Sequence, residues 1–222
     1  AELGAWIDKL DDKANVAKIV QVGYLAIPAL MAHLEEKNWR AYAVYRIIIQ
    51  LPHDNLFKRM LPYTEADQLP AKRAAAVEVI GGVDHPQRMD VLRDTLQADD
   101  VGILQAALRS LKALKAEPDL VAPLAEHPER AVSNYALSAL FEMGDPRGTG
   151  YAYNQATSDL ASIRLKGVDN LVRVIHEKEA RKYLEALKDD EDKKVQTRAQ
   201  KVIQNLREHD DKDVARWAKR NS

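Results

Sequence analysis

The side chains of this chain that could hold a metal are six histidines: His33, His53, His85, His127, His176 and His209. A di-metal centre needs imidazole and carboxylate ligands that converge from several elements. Only one His-Glu dipeptide is present, His176-Glu177, while Glu126-His127 and Glu208-His209 run in the reverse order. The six are scattered about one per repeat of the pattern described below, mostly at joints and helix ends, and read as surface and turn residues. The acidic run Asp189-Asp190-Glu191-Asp192 lacks the alternating ligands, the turn Gly and the closing Glu of a Ca²⁺ loop. It reads as a solvated turn whose carboxylates cap a helix. The absence of cysteine removes disulfides, thiolate nucleophiles and cysteine zinc sites. No catalytic constellation stands out, and the expectation is a chain that is not an enzyme and carries no metal or cofactor.

The residues suited to binding chemistry are aromatic and cationic. Trp39, Tyr42 and Tyr45 stand at i, i+3 and i+6, with Arg40 and Arg46 interleaved. They either pack on a neighbouring repeat or form a cationic, aromatic-lined patch that suits a protein or peptide. A net charge of −1 argues against a dedicated nucleic-acid binder, which normally carries a basic excess. Trp6 and Trp217 lie at opposite ends, so no second Trp falls in the middle of the chain to help hold a base.

Positioning such residues requires helices, and the sequence predicts them with an internal period. Small residues at the heart of successive helices form the series Asn15, Ala43, Ala75, Ala107, Ala136, Gly167 and Ala199, spaced by 28, 32, 32, 29, 31 and 32 residues. Four residues after each stands Ile19, Ile47, Val79, Leu111, Leu140, Leu171 or Ile203. Most anchors are followed directly by an apolar residue: Val16, Val44, Ala76, Leu108, Leu137 and Val168. Offsets of zero, one and four mark one stripe of a helix. Upstream of each lies a first helix with its own stripe, for example Met89, Leu92 and Leu96, or Tyr183, Leu184 and Leu187. Pro86, Pro118 and Pro146 sit near helix starts, while Pro28 and Pro123 fall near or within first helices and are expected to kink them. No strand-like alternation of useful length occurs, so the chain reads as all-α.

With 46% hydrophobic and 30% charged residues, the composition suits a core-forming chain with a charged surface and not a disordered one. No apolar run is read as long enough for a membrane span; the longest, around Val44 to Leu51, is broken by Arg46 and Gln50. No membrane insertion is therefore expected. No signal peptide is read, and the chain opens Ala1-Glu2, as a mature form after cleavage or a trimmed form. Cytoplasmic and exported locations fit equally. Nothing in the sequence points to an oligomeric state.

The segments Gly23-Tyr24-Leu25-Ala26-Ile27-Pro28-Ala29-Leu30 and Gly144-Asp145-Pro146-Arg147 resemble the joint and first helix of short bacterial HEAT-like repeats, the kind found in the phycobilisome lyases. Arg40 and Arg164, each three residues before an anchor, resemble the basic residue that opens the second helix of that repeat. Leu51 and Val83 replace the joint Gly in two repeats. The resemblance implies one right-handed α-α superhelix of about seven HEAT-like helix pairs, at about 3–23, 24–51, 52–83, 84–115, 116–144, 145–175 and 176–208, with a cap at 209–222. It also brings to mind HEAT-like enzymes: a chromophore (bilin) lyase subunit, a DNA glycosylase, and the di-iron deoxyhypusine hydroxylases, whose repeated His-Glu dipeptides this chain lacks.

In such a stack the second helices line the concave side, and offsets −1, +2, +3 and +6 from the anchors face outward. They comprise Tyr42, Tyr45, Arg46, Val77, Glu78, Arg109, Tyr135, Ser138, Glu142, Asp169, Asn170, Arg173 and Lys201. The set is polar, of both signs, and resembles a protein-recognition surface more than a polyanion track. The candidate partner-binding residues are Trp39, Tyr42, Tyr45, Arg46, Arg109, Tyr135, Ser138, Asp169 and Arg173. The expected function is a scaffold or adaptor that holds a protein or peptide; the alternatives are the bilin lyase subunit and the glycosylase.

Overall fold

The computed structural model describes residues 2–35, 45–51 and 55–222. Trp39, Arg40, Tyr42, Ala43, Val44 and His53 lie outside them. The described residues are helices and turns, with no strand among them. In order, the α-helices with described boundaries are α1 (Glu2–Ile7), α2 (Lys13–Val22), α3 (Ile27–Ala32), α4 (Leu56–Met60), α5 (Pro70–Gly82), α6 (Arg88–Thr95), α7 (Val101–Ala113), α8 (Pro118–Val121), α9 (Arg130–Met143), α10 (Gly150–Ala156), α11 (Ala161–Arg173), α12 (Lys178–Leu187), α13 (Lys193–Asn205) and α14 (Lys212–Asn221). The chain divides into two compact units, Ala1–Ala139 and Leu140–Ser222, with the division inside α9.

Local chemistry starts and stops these helices. Asp12, Asp100, Asp192 and Asp211 sit just before α2, α7, α13 and α14, and each carboxylate accepts a backbone N–H of the first turn. An Asp at this position satisfies donors that the helix cannot and meets the positive end of its dipole. Three joints eight residues after an anchor turn in the left-handed conformation: Gly23 (φ 66°), Lys115 (φ 49°) and Gly144 (φ 77°). At the last two, the N–H of the next residue reaches back to the helix: Ala116 donates to the Leu111 carbonyl at 3.0 Å and Asp145 to that of Leu140 at 2.9 Å. This closes the helix end, and Gly suits the turn because it has no Cβ to clash. Pro28 sits in the first turn of α3, where a missing N–H costs nothing, and Pro123 falls in a 3₁₀ turn that continues α8.

The anchor stripe is the core. Every described anchor and every residue four positions after one is buried. In the first unit α5 packs against both α6 and α7. In the second, α11 packs against α10, α12 and α13. The small anchors set the closeness of these contacts. A Cβ on Gly167 would stand 2.6 Å from the Ala156 nitrogen, so α11 lies against the backbone of α10. A Cβ on Gly148 would meet the Phe141 nitrogen at 2.1 Å.

Two sequence readings need correction. Lys13–Ala32, 20 residues, is long and apolar enough to cross a membrane, so the longest apolar stretch is not at Val44–Leu51. The chain bends there at Gly23, passes through a 3₁₀ turn, and places Ile19, Ala26, Ile27, Leu30 and Met31 in the core of the first unit. Val77, expected to face outward, is 1% exposed. Its helix, α5, meets both α6 and α7, so more than one face of it is covered.

Candidate functional site

Tyr45 packs against the core of the first unit and is half-buried, while Arg46 is exposed. Trp39 and Tyr42, their expected companions, lie outside the described residues. Further along the first unit the structure brings Arg109 and Tyr135 together. The Arg109 guanidinium lies 5.7 Å from the centre of the Tyr135 ring and is ion-paired with Glu78 of α5. Burial alone would lower the Arg109 pKa, but Glu78 and the Tyr135 hydroxyl outweigh it, so the pKa stays above its ordinary value. Ser138 is half-buried one turn further along α9.

In the second unit, Arg173 at the end of α11 donates to Glu142 at 3.0 Å, and its guanidinium lies 4.3 Å from the centre of the Phe141 ring. Asp169 accepts from Arg198 of α13, with Nη2 at 2.7 Å. The candidate charges are therefore not isolated. Glu78 and Arg109 are 31 residues apart, Glu142 and Arg173 are 31 apart, and Asp169 and Arg198 are 29 apart. In each pair an acid on one anchor-bearing helix (α5, α9 or α11) meets a base on the next (α7, α11 or α13), about one sequence period later. Sequence reasoning missed this ladder, although charge complementarity at the repeat period was there to be read.

A stronger pairing lies at the joint between α10 and α11. Arg164 donates from Nε and Nη2 to both oxygens of Asp190, at 2.8 and 2.9 Å, and from Nη1 to the carbonyls of Ser158 and Asp159, at 2.9 and 3.0 Å. The Arg164 and Asp190 side chains are 10% and 7% exposed. The run 189–192 is thus only partly the solvated turn expected of it. Asp192 caps α13 and the Glu191 side chain is exposed, but Asp190 is a nearly buried counter-ion. The physical reason is a planar guanidinium with five donors, which a bidentate carboxylate and two carbonyls together satisfy. The Arg164 guanidinium holds the Asp190 carboxyl below the usual carboxylate range.

Three histidines serve the joints. The Nδ1 atoms of His85, His127 and His209 each accept the backbone N–H two residues on, from Gln87, Glu129 and Asp211. Among the described residues, no group of three or more His, Asp and Glu is placed to hold a metal. Among the described residues, the carboxylates with shifted pKa, Asp145, Asp190 and Asp211, are shifted down, the first two chiefly by an arginine and the third by backbone N–H groups. Burial first, and then Glu177, push the Tyr153 hydroxyl up, so it stays protonated at neutral pH.

The chain matches no protein-family model and no curated protein. Solved structures to which it is similar include two engineered proteins from the Northeast Structural Genomics Consortium. One is 15% identical with a TM-score of 0.47, over 99% of this chain and 77% of that chain. The other is 13% identical with a TM-score of 0.47, over 100% of this chain and 98% of that chain. Likenesses at this level assign neither a family nor a function.

Proposed function

We propose that this protein is a non-catalytic scaffold or adaptor, built as a right-handed solenoid of HEAT-like helix pairs, that holds a protein or peptide on the face of its second helices. The observation that carries the reading is the cluster of Glu78, Arg109 and Tyr135. Glu78 of α5 and the Tyr135 ring hold the Arg109 guanidinium between them on a half-exposed surface. A rigid surface loses little freedom on binding, and Tyr and Arg are the side chains that most often dominate protein interfaces. Tyr45, Arg46, Ser138, Asp169 and Arg173 are the further contacts that this reading assigns to a partner.

The test is affinity capture from a native lysate, with the captured protein identified and its affinity for purified protein measured. The parent is compared with an Arg109→Ala, Tyr135→Ala variant that retains its helical circular dichroism. A partner bound by the parent and lost by the variant supports the reading. Equal binding by both removes the site from this face. Recovery of nucleic acid or a coloured tetrapyrrole instead of a protein overturns the scaffold function.

A further inference from the structure

On the second unit, α12 and α14 form the walls of a cleft of about 370 Å³. Each wall is presented at one helical spacing. From α12 come residues 178, 181, 182 and 185, and from α14 residues 213, 216, 217 and 220. Steps of three, four and seven put each set on one face of its helix. Five of the eight are cations: Lys178, Arg181, Lys182, Arg216 and Arg220. The acids Glu185 and Asp213 leave the cleft with three net positive charges, in a chain whose total is −1. None of these residues belongs to the ion-pair ladder described above.

The cations differ in how firmly they are held. Arg181 is fixed, because its Nη1 donates to the carbonyls of Ile175 and His176 at 2.9 Å. Among the described residues, Lys182 and Arg216 pair only within their own helices, in exposed contacts to Glu179 at 3.0 Å and Asp213 at 3.3 Å. Such pairs are worth little in water and exchange readily for an incoming anion. Lys178 and Arg220 are exposed and have no ion-pair partner among the described residues. Exposed cations therefore stand on both walls, Lys178 and Lys182 facing the arginines of α14.

We propose that this cleft is a docking site for an acidic peptide segment whose carboxylates reach both walls. Two features favour a peptide over a nucleic acid. Glu185 and Asp213 interrupt the positive track that a continuous phosphate backbone requires. Trp217 is 8% exposed and so offers no open ring face on which a base could stack. Discrete carboxylates can pair with Lys178, Lys182, Arg216 and Arg220 and avoid the two acids. The arginines can take a carboxylate through two parallel hydrogen bonds. The site lies on a different set of helices from Arg109 and Tyr135, so it stands or falls independently of the scaffold surface proposed above.

The test is fluorescence anisotropy of a dye-labelled deca-glutamate peptide against the whole chain. A dye-labelled oligothymidine and sedimentation of the protein alone run in parallel. The parent is expected to bind the peptide with an affinity that falls as salt is raised. A Lys178→Glu, Arg220→Glu variant is expected to lose at least about tenfold, since two attractions become repulsions. Both side chains are exposed, so an unchanged melting curve certifies that the variant is folded. A Lys72→Glu, Lys112→Glu variant, with the same change in net charge in the first unit, is expected to bind within about twofold of the parent if the attraction is local. Equal peptide binding by the parent and the cleft variant overturns the proposal, as does no binding by the parent. Tighter binding of oligothymidine than of peptide reassigns the cleft to nucleic acid. Self-association that the cleft variant abolishes reassigns it to a second copy of this chain.

Discussion

Substituting Gly167 by Ala sets two opposed effects against each other, and their sizes decide the sign. Gly167 lies inside α11, and helix propensity favours Ala over Gly there by about 1 kcal/mol. Against this, the added Cβ would stand 2.6 Å from the Ala156 nitrogen and 2.9 Å from both the Ala156 Cα and the Gln155 carbonyl carbon. Ordinary contact needs about 3.5 Å, so α10 and α11 must separate by roughly 0.6–0.9 Å. The obstacle is backbone, which cannot rotate aside as a side chain can. The separation also stretches the hydrogen bond from Asn170 Nδ2 to Gln155 Oε1, now 2.6 Å. Overpacking of a core typically costs about 1–3 kcal/mol, and a rigid backbone obstacle falls at the upper end. The expected net effect of Gly167→Ala is a loss of about 1–2 kcal/mol. Urea denaturation followed by circular dichroism should show it as a midpoint about 1 M lower, for a slope of about 1–2 kcal/mol/M. Gly4→Ala is the control. Nothing lies within 4 Å of its added Cβ, so the same exchange should leave stability unchanged or raise it. A Gly167→Ala midpoint equal to or above the parent's would refute the reasoning, because propensity would then have outweighed close approach.

The left-handed Lys115 leads to an opposite expectation. Gly there removes the penalty of a Cβ at φ 49°, and Lys115→Gly should raise stability by about 1 kcal/mol, read as a higher urea midpoint. Arg164→Gln should lower stability at neutral pH, with a dependence on pH that follows from the sign of the Asp190 shift. The Asp190 pKa is lowered in the folded chain, so its contribution is present above the ordinary carboxylate range and is lost as pH falls through and below it. The gap in urea midpoint between parent and variant should therefore narrow from about pH 7 to about pH 2.5, and a constant gap would contradict the assignment. For the exposed pair Asp169–Arg198, a double-mutant cycle to Ala should return a coupling of about 0.2–1 kcal/mol that shrinks in high salt.

The sequence was most informative where the physics is local. The anchor stripe from Asn15 to Ala199 follows helical spacing, and a helix with one apolar face must bury it. Asp12, Asp100, Asp192 and Asp211 act on the backbone two or three residues away, so their capping needs no knowledge of the rest of the chain. Gly23 and Gly144 likewise mark turns whose shape depends on their own φ. Lys115 makes the same turn without the glycine that would have announced it, because the rest of the structure holds it there.

Tertiary structure decided the rest, above all which charges meet. Arg164 and Asp190 are 26 residues apart, one in α11 and the other beyond α12, so composition alone left Asp190 among its solvated neighbours. Arg109, Asp169 and Arg173 were legible as outward-facing residues, but their partners Glu78, Arg198 and Glu142 depend on the register in which neighbouring helices pack. Val77 went the other way, buried because its helix meets two neighbours. Periodicity and capping act within one or two turns and are written in adjacent residues. Partner choice among charged side chains is set by a few ångströms of helix placement, and that placement follows from the volumes of buried residues such as Gly167, whose missing Cβ lets α11 rest on α10.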